Sequence, residues 1–458
     1  MRGKKDDMDD KEIEFERNAY QEILDWKKTL AGKTALLIEG ARRVGKTHLV
    51  LRFAREAYKS FIYIDFSAKG KQISAYKQAF EECDGVADLL ERLQLLSGVT
   101  LVAGQSCVVF DEIQRYPPAR EAIKQLVEYG KYHYIETGSL LGIYENVKDI
   151  VVPSEEHSIR LYPLNFEEFL RASGNSKIAE YIRSRYENER PMGKDLHAKA
   201  TDLARRYMVV GGMPQSVEAY LRGGDHRLDA AEAMKREILR LYMQDIGKYA
   251  RGYAPKVRAI FRHIPSALNS REKKFRLADI GANARMRRYE NAFLWLSDAM
   301  VANIAYNSTD PGVGLEMNIE SSLFKCYSAD TGLLVSMSMT GSKEVDGRIL
   351  RGILYDKLGI NEGMFFENYV AQTLVAKGHD LFFHSTAKPR IEIDFLIRRG
   401  IKICPVEVKS AACRRHASLD ALIEKCRGKL GAKYVVCTED LNVEDGITYL
   451  PFYMTHCL

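Results

Sequence analysis

Short apolar runs alternate along this chain with longer stretches of helical spacing. TALLIEG at 34–40 is apolar without a period and stops at a glycine, and THLVLRFAREAY at 47–58 continues with apolar positions three and four apart. A buried strand followed by a helix is the reading. SCVVFD at 106–111 and YHYIETG at 132–138 are two more strand-length runs. Residues 177–250 then read as successive helices, interrupted by the turn composition Gly211-Gly212-Met213-Pro214. From Phe275, FRLADIGANARMRRYENAFLWLSDAMVANIAYN predicts helix, turn, helix and a strand-like end, the order of a winged helix. Near the C-terminus, FFENYVAQTLVAKG predicts an amphipathic helix, IEIDFLI a strand of alternating residues, and IKICPVEVKS a second strand after a turn at Arg399-Gly400.

At 458 residues the chain exceeds one ordinary core, and about three domains are expected. The pattern divides it into a polar tail (1–14), an α/β core (15–175), a helical lid (176–250), a winged-helix-like segment (251–310) and a C-terminal α/β domain (311–458). The expected class is multidomain α/β, with a parallel sheet flanked by helices in the core.

Composition narrows the function little: the formal charge of +6 permits a nucleic-acid partner without requiring one. Its distribution says more, because residues 251–290 hold 11 Lys and Arg against 3 Asp and Glu. The eight cysteines form no CxxC pair and no zinc-finger spacing with histidine, so free thiols in a reducing cytoplasm are expected. No apolar stretch approaches the roughly 20 residues a membrane-spanning helix needs, and no signal-peptide core follows Met1.

The loop Gly40-Ala41-Arg42-Arg43-Val44-Gly45-Lys46-Thr47, followed by His48, fits G-x-x-x-x-G-K-[ST] between a strand and a helix. Glycines let backbone amides turn toward phosphate oxygens, and the helix start adds unpaired N–H groups. Lys46 is placed to reach the β/γ-phosphates and Thr47 to offer its hydroxyl to Mg²⁺. Asp111-Glu112 closes an apolar strand about 65 residues further on, a distance that suits Mg²⁺ ordering by Asp111 and water polarisation by Glu112. Thr137, in the Thr-Gly-Ser turn that ends at Ser139, is a candidate sensor of the γ-phosphate, and Arg160 a candidate for contact with it in cis or in trans. For Arg42 and Arg43, contact with nucleotide, with a neighbouring subunit or with solvent all remain open. The cofactors expected are ATP and Mg²⁺.

Two further constellations point to nucleic acid. The second helix of the winged-helix segment carries Arg285, Arg287 and Arg288, cations suited to phosphates and base edges. In the C-terminal third, Glu367, Asp394 and Glu407-x-Lys409 follow one another in the order of the PD-(D/E)xK nuclease fold, which they resemble. Glu407 and Lys409 lie two apart on one strand and face one side, and Asp394 is expected on the antiparallel neighbour. Glu367, Asp394 and Glu407 are therefore candidate Mg²⁺ ligands, and Lys409 a candidate to orient or deprotonate water. Glu392 is a possible fourth carboxylate, equally well read as facing solvent.

The motifs IEGARRVGKTHL, VVFDEIQRYP, IETGSLL, LYPLNFEEFL, VVGGMPQSVEAYL and YSADTGLL together resemble a bacterial and archaeal group of AAA-type ATPases with a C-terminal domain of unknown function. The resemblance runs from about residue 15 to near the end. It implies an AAA-type core, a helical lid, a winged helix and a nuclease-like C-terminal fold. One departure stands out: Ile159 precedes Arg160 where the group has glycine. Three readings follow. The first is an ATPase acting on DNA with a nuclease-like domain. The second is an ATP-driven switch or remodeller whose C-terminal domain only binds a protein or nucleic-acid partner. The third is a non-catalytic nucleotide-binding scaffold, which the Asp111-Glu112 pair disfavours. Assembly into a homo-oligomer is compatible with each.

Overall fold

The computed structural model describes residues 13–139, 155–281, 285–312, 314–339, 350–352, 362–387, 390–411 and 413–458. Most of the polar tail, the Leu-Leu that ends the IETGSLL motif and residues 282–284 of the winged-helix segment lie outside these.

Five strands build the first sheet: β1 (Ala35–Glu39), β2 (Ser60–Asp65), β3 (Ser106–Asp111), β4 (His133–Gly138) and β5 (Glu156–Arg160). They are all parallel, in the order β2-β3-β4-β1-β5. Side chains alternate across a strand, and β1 shows the consequence. Leu36 and Ile38 join the core on one face, while Ala35 and Leu37 join the core on the other. Both faces are covered, which explains why TALLIEG reads as apolar without a period. Parallel strands also bring their carboxyl ends to one edge of the sheet. The residues that follow β1, β3 and β4 therefore meet there.

Four helices, Ser176–Glu187, Lys194–Val210, Pro214–Arg222 and Arg227–Tyr249, occupy the segment expected as the lid. The segment expected as a winged helix, with its wing, follows. Helices Ala254–Asn269 and Met286–Asp298 precede the hairpin β6 (Ala302–Ser308) and β7 (Ile319–Ser328), which pair antiparallel. The Phe275 amide donates to the Phe324 carbonyl at 2.9 Å, attaching a short extended segment to the wing. Phe275, Phe293 and Phe324 pack ring on ring beneath it, with centroids 4.8–5.7 Å apart.

The wing does not stand alone. With β8 (Phe382–Ala387), β9 (Arg390–Arg399), β10 (Lys402–Val408), β11 (Lys433–Cys437), β12 (Asn442–Glu444) and β13 (Ile447–Pro451) it makes one eight-stranded mixed sheet, ordered β7-β6-β8-β9-β10-β11-β13-β12. The expected boundary at residue 310 thus falls inside the hairpin. The helix Glu362–Ala376 departs from the amphipathic expectation: every residue from Met364 to Leu374 is buried. The reason is its central place, with the helix Thr331–Ser338, the strand β7 and the C-terminal turn Phe452–Cys457 all packed against it. All eight cysteines are unpaired, six of them buried. No helix among the described residues is long and apolar enough to cross a membrane.

Candidate functional site

The phosphate loop leaves β1 at Gly40, and the sheet dictates that glycine. A Cβ there would sit 2.4 Å from the Leu161 carbonyl oxygen, on the chain leaving β5. Gly45 precedes the helix Lys46–Ala57 with φ +94°, a conformation glycine adopts without strain. Lys46 is buried, and its ammonium donates to the Gly40 and Ala41 carbonyls and to Ser139 Oγ at 2.9–3.0 Å. Burial lowers its pKa to about 8, against the pull of Glu112 and Asp111. Thr47 Oγ1 lies 3.0 and 3.1 Å from the two Asp111 carboxylate oxygens. A hydroxyl beside a carboxylate is the hard-oxygen donor set that suits Mg²⁺.

Asp111 also accepts from the Tyr63 hydroxyl at 2.7 Å and from the Thr137 hydroxyl. Thr137 is fully buried and supports Asp111 from behind, rather than facing the cavity. Ser139 stands where Thr137 was expected. It accepts from Lys46 and donates to Glu112 Oε1 at 3.3 Å. Glu112 has φ +52°, rare for a residue with a side chain, and this turns its carboxylate toward the loop.

A cavity of about 410 Å³ adjoins these groups, and Arg42, Arg43, Gly45, Lys46, Thr47 and His48 line part of it. Its remaining wall was not legible from the loop motif: Phe15 comes from the N-terminal segment, and Pro214, Gln215 and Glu218 from the lid helix after the Gly211-Gly212 turn. Ala41 and Val44 are buried beneath the loop. Arg17, also missed, donates to the carbonyls of Val44 and Tyr162 and pairs with Glu168 at 3.3 Å, fixing the loop to the helix Phe166–Ala172. Arg42 pairs with Asp245 of the lid at 2.6 Å, while Arg43 is exposed. Arg160 is not brought to this cavity in cis. Its side chain is 68% exposed, lies 3.9 Å from Glu39, and lines a separate cavity with Asp298 and His379. The cause is β5 itself, an edge strand whose end lies on the far side of β1 from β4.

In the second sheet, β9 and β10 pair antiparallel, and the Val408 amide donates to Asp394 Oδ2 at 2.8 Å. Lys409 Nζ lies 2.6 Å from Glu407 Oε1. Glu367 approaches from its buried helix, so Glu367, Asp394, Glu407 and Lys409 line one cavity of about 420 Å³. Glu392 lines it too, so the solvent-facing alternative does not describe it. Two further members, Lys273 and Lys325, belong to no motif and join the cluster only through the fold. Both pair with Glu367. Burial alone would raise the Glu367 pKa, but these two ammonium groups bring it to about 2. The surrounding carboxylates in turn hold Lys325 protonated beyond the ordinary lysine range, despite its burial.

Arg285, Arg287 and Arg288 are exposed at the head of the helix Met286–Asp298. Other cations of this segment are used internally: Lys273 on Glu367, Lys274 on Ser385 Oγ at 3.0 Å, and Arg276 on Glu272 at 3.0 Å.

Comparison with known proteins matches the segments separately. A family model described as an AAA domain matches residues 32–170. Two models described as domains of unknown function, DUF8612 and DUF4143, match residues 201–344 and 362–454. No curated protein matches the chain. Among solved structures, a RuvB variant from Thermotoga maritima aligns at 13% identity over 63% of this chain and 89% of its own, with a TM-score of 0.28. The RuvB Holliday junction branch migration motor of the same organism aligns at 12% over the same shares, with a TM-score of 0.29. Drosophila ORC bound to DNA aligns at 13% over 75% of this chain and 96% of its own, with a TM-score of 0.27. The phosphate loop, the acidic end of β3 and the family match coincide, and residues 32–170 form an AAA-type P-loop domain.

Proposed function

We propose that this chain is a Mg²⁺-dependent ATP hydrolase that works with DNA. The observation that carries the first half is the convergence of Lys46, Thr47, Asp111, Glu112 and Ser139 at one edge of a parallel sheet, beside a cavity of about 410 Å³. Lys46 binds the β/γ-phosphates, exchanging its carbonyl partners for phosphate oxygens. Thr47 and Asp111 hold Mg²⁺, which when bound neutralises charge on the phosphates. Glu112 orients the attacking water and accepts its proton, and Ser139 fixes the Glu112 carboxylate. Phe15 and Pro214 supply apolar surface for the base. Arg160, exposed beside Glu39 and absent from the lining of the cavity that Lys46 and Thr47 share, is left for a neighbouring copy in a homo-oligomer.

The DNA half rests on Arg285, Arg287 and Arg288, exposed together at the start of the second helix of a helix–turn–helix with a wing. That is where such folds present side chains to a groove. The C-terminal domain we read as PD-(D/E)xK-like. Its role as a binding module without cleavage is favoured by one observation, the buried Lys325 among its carboxylates.

The test is ATP turnover by the full-length chain in Mg²⁺. The proposal expects turnover that is lost in Lys46→Ala together with ATP binding, and lost in Glu112→Gln with binding retained. Turnover unchanged in Glu112→Gln contradicts the assigned chemistry.

A further inference from the structure

The carboxylates of the C-terminal cluster are already compensated by the chain's own cations. Glu367 is fully buried, and both its oxygens are engaged. Oε1 accepts from Lys325 Nζ at 3.0 Å and from the Tyr327 hydroxyl at 2.6 Å, while Oε2 accepts from Lys273. Asp394 is likewise engaged at both oxygens, by Lys325 at 3.5 Å and by the Val408 amide at 2.8 Å. Glu392 lies 3.7 Å from the same Lys325 ammonium, and Glu407 Oε1 is held by Lys409. Lys325 is 1% exposed and lies within 3.7 Å of three carboxylates, one from the buried helix and two from one face of β9.

Such an ammonium group and a divalent cation compete for the same lone pairs. Mg²⁺ requires about six oxygen ligands in near-octahedral order, so it would have to strip donors from both Glu367 and Asp394. It would also leave Lys325 buried and unpaired. Among the described residues, no group of three or more His, Cys, Asp or Glu side chains is arranged to hold a metal ion. The cations moreover come from outside the nuclease-like elements. Lys325 and Tyr327 lie on the wing strand β7, and Lys273 lies just before the segment that joins the wing.

We propose that Lys325 is the resident cation of this cluster, occupying it in place of a divalent ion, so that the domain engages its ligand without metal and without cutting it. The proposal goes beyond the ATP-dependent reading and does not depend on it. The ligand class it leaves is a polyanionic backbone, met by Arg271 on the rim of the same cavity, where Lys409 and Arg390 stand beside Glu407 and Glu272.

Mn²⁺ titration of the nucleotide-free, full-length chain, with free Mn²⁺ followed by electron paramagnetic resonance, tests this. The wild-type chain and Asp394→Asn are expected to bind the same number of ions. Lys325→Met, which keeps the stem and removes the charge, is expected to gain about one ion per chain. That ion should be lost again when Asp394→Asn is added, and Lys325→Arg should gain none. Loss of one bound ion on introducing Asp394→Asn into the wild-type chain overturns the proposal, and this comparison needs no Lys325 variant to fold. A Lys325→Met chain that unfolds cooperatively yet gains no ion overturns it as well.

Discussion

Lys46 is held by two carbonyls of its own loop and by Ser139, so its charge is pre-aimed before any phosphate arrives. Ser139 joins Lys46 to Glu112, which makes it the side chain most exposed to a change at the γ-phosphate. Ser139→Ala should lower kcat by about 10–100-fold while leaving ATP binding within a few fold, because Lys46 keeps its two loop carbonyls while Glu112 loses this hydroxyl. Thr137→Val should act differently. It removes a buried donor to Asp111, so the Mg²⁺ concentration needed for half-maximal turnover should rise. Steady-state kinetics with separate ATP and Mg²⁺ titrations distinguishes the two. At this scale the phosphate loop was legible because its residues are contiguous and its spacing is fixed by backbone geometry. Ser139 over Thr137 was not, since Thr137 is taken up by Asp111 inside β4 while Ser139 lies just past its end, beside Lys46. Phe15 and Gln215 were not either, because they reach the cavity only through tertiary packing.

Between elements, the lid turn is clasped by the loop after β7. Asp330 is fully buried, accepts from the Gly212 amide at 2.6 Å and caps the helix Thr331–Ser338 through the Leu333 amide at 2.8 Å. Asp330→Ala leaves both amides unsatisfied and should cost about 2–4 kcal/mol, read as a lowered midpoint in urea unfolding. Gly212 has no room for a side chain, since a Cβ would lie 2.1 Å from the Leu164 carbonyl oxygen. Gly212→Ala should therefore displace Pro214 and Gln215 and weaken ATP binding as well as stability. The motifs VVGGMPQ and YSADTGLL were visible in the sequence, but their mutual contact was not, because it spans more than a hundred residues. The same limit explains the helix Glu362–Ala376, whose burial on all sides depends on elements distant in the chain.

A pH effect belongs to this scale too. Burial raises the Asp298 carboxyl to about 6, with Arg160 opposing and Glu39 reinforcing the shift. A raised carboxyl pKa means the folded state holds its proton more tightly than the unfolded one. The associated stability is present below the ordinary carboxylate range and is lost as pH rises through about 6. Asp298→Asn should remove that slope, so its Tm between about pH 4 and 7 should vary less than that of the parent, measured by calorimetry.

For the whole molecule, the wing belongs to two structures at once. Its strands β6 and β7 form an antiparallel hairpin after the two helices and also make the edge of the eight-stranded sheet. β7 further carries Lys325 and Tyr327 into the carboxylate cluster, and the loop after it clasps the lid turn beside the nucleotide cavity. The order of two helices and a following strand could be read from local periodicity. Fusion of the wing to the C-terminal sheet could not, because parallel pairing of β6 with β8 leaves no local signature. The basic surplus was legible as a number, but part of it is spent on Glu367, Glu272 and Ser385. What remains outward includes the Arg285, Arg287 and Arg288 group, together with Arg251, Arg262 and Arg271. Replacing Arg287 and Arg288 with alanine should weaken duplex binding at all sequences and reduce the slope of log K against log salt by about 2.

A purified chain assayed for ATP turnover with and without duplex DNA, as wild type and as Arg287→Ala/Arg288→Ala, decides between these outcomes. The account predicts Mg²⁺-dependent turnover that rises with DNA in the wild type and does not rise in the double variant. Turnover indifferent to DNA in both, or stimulated equally in both, would contradict it.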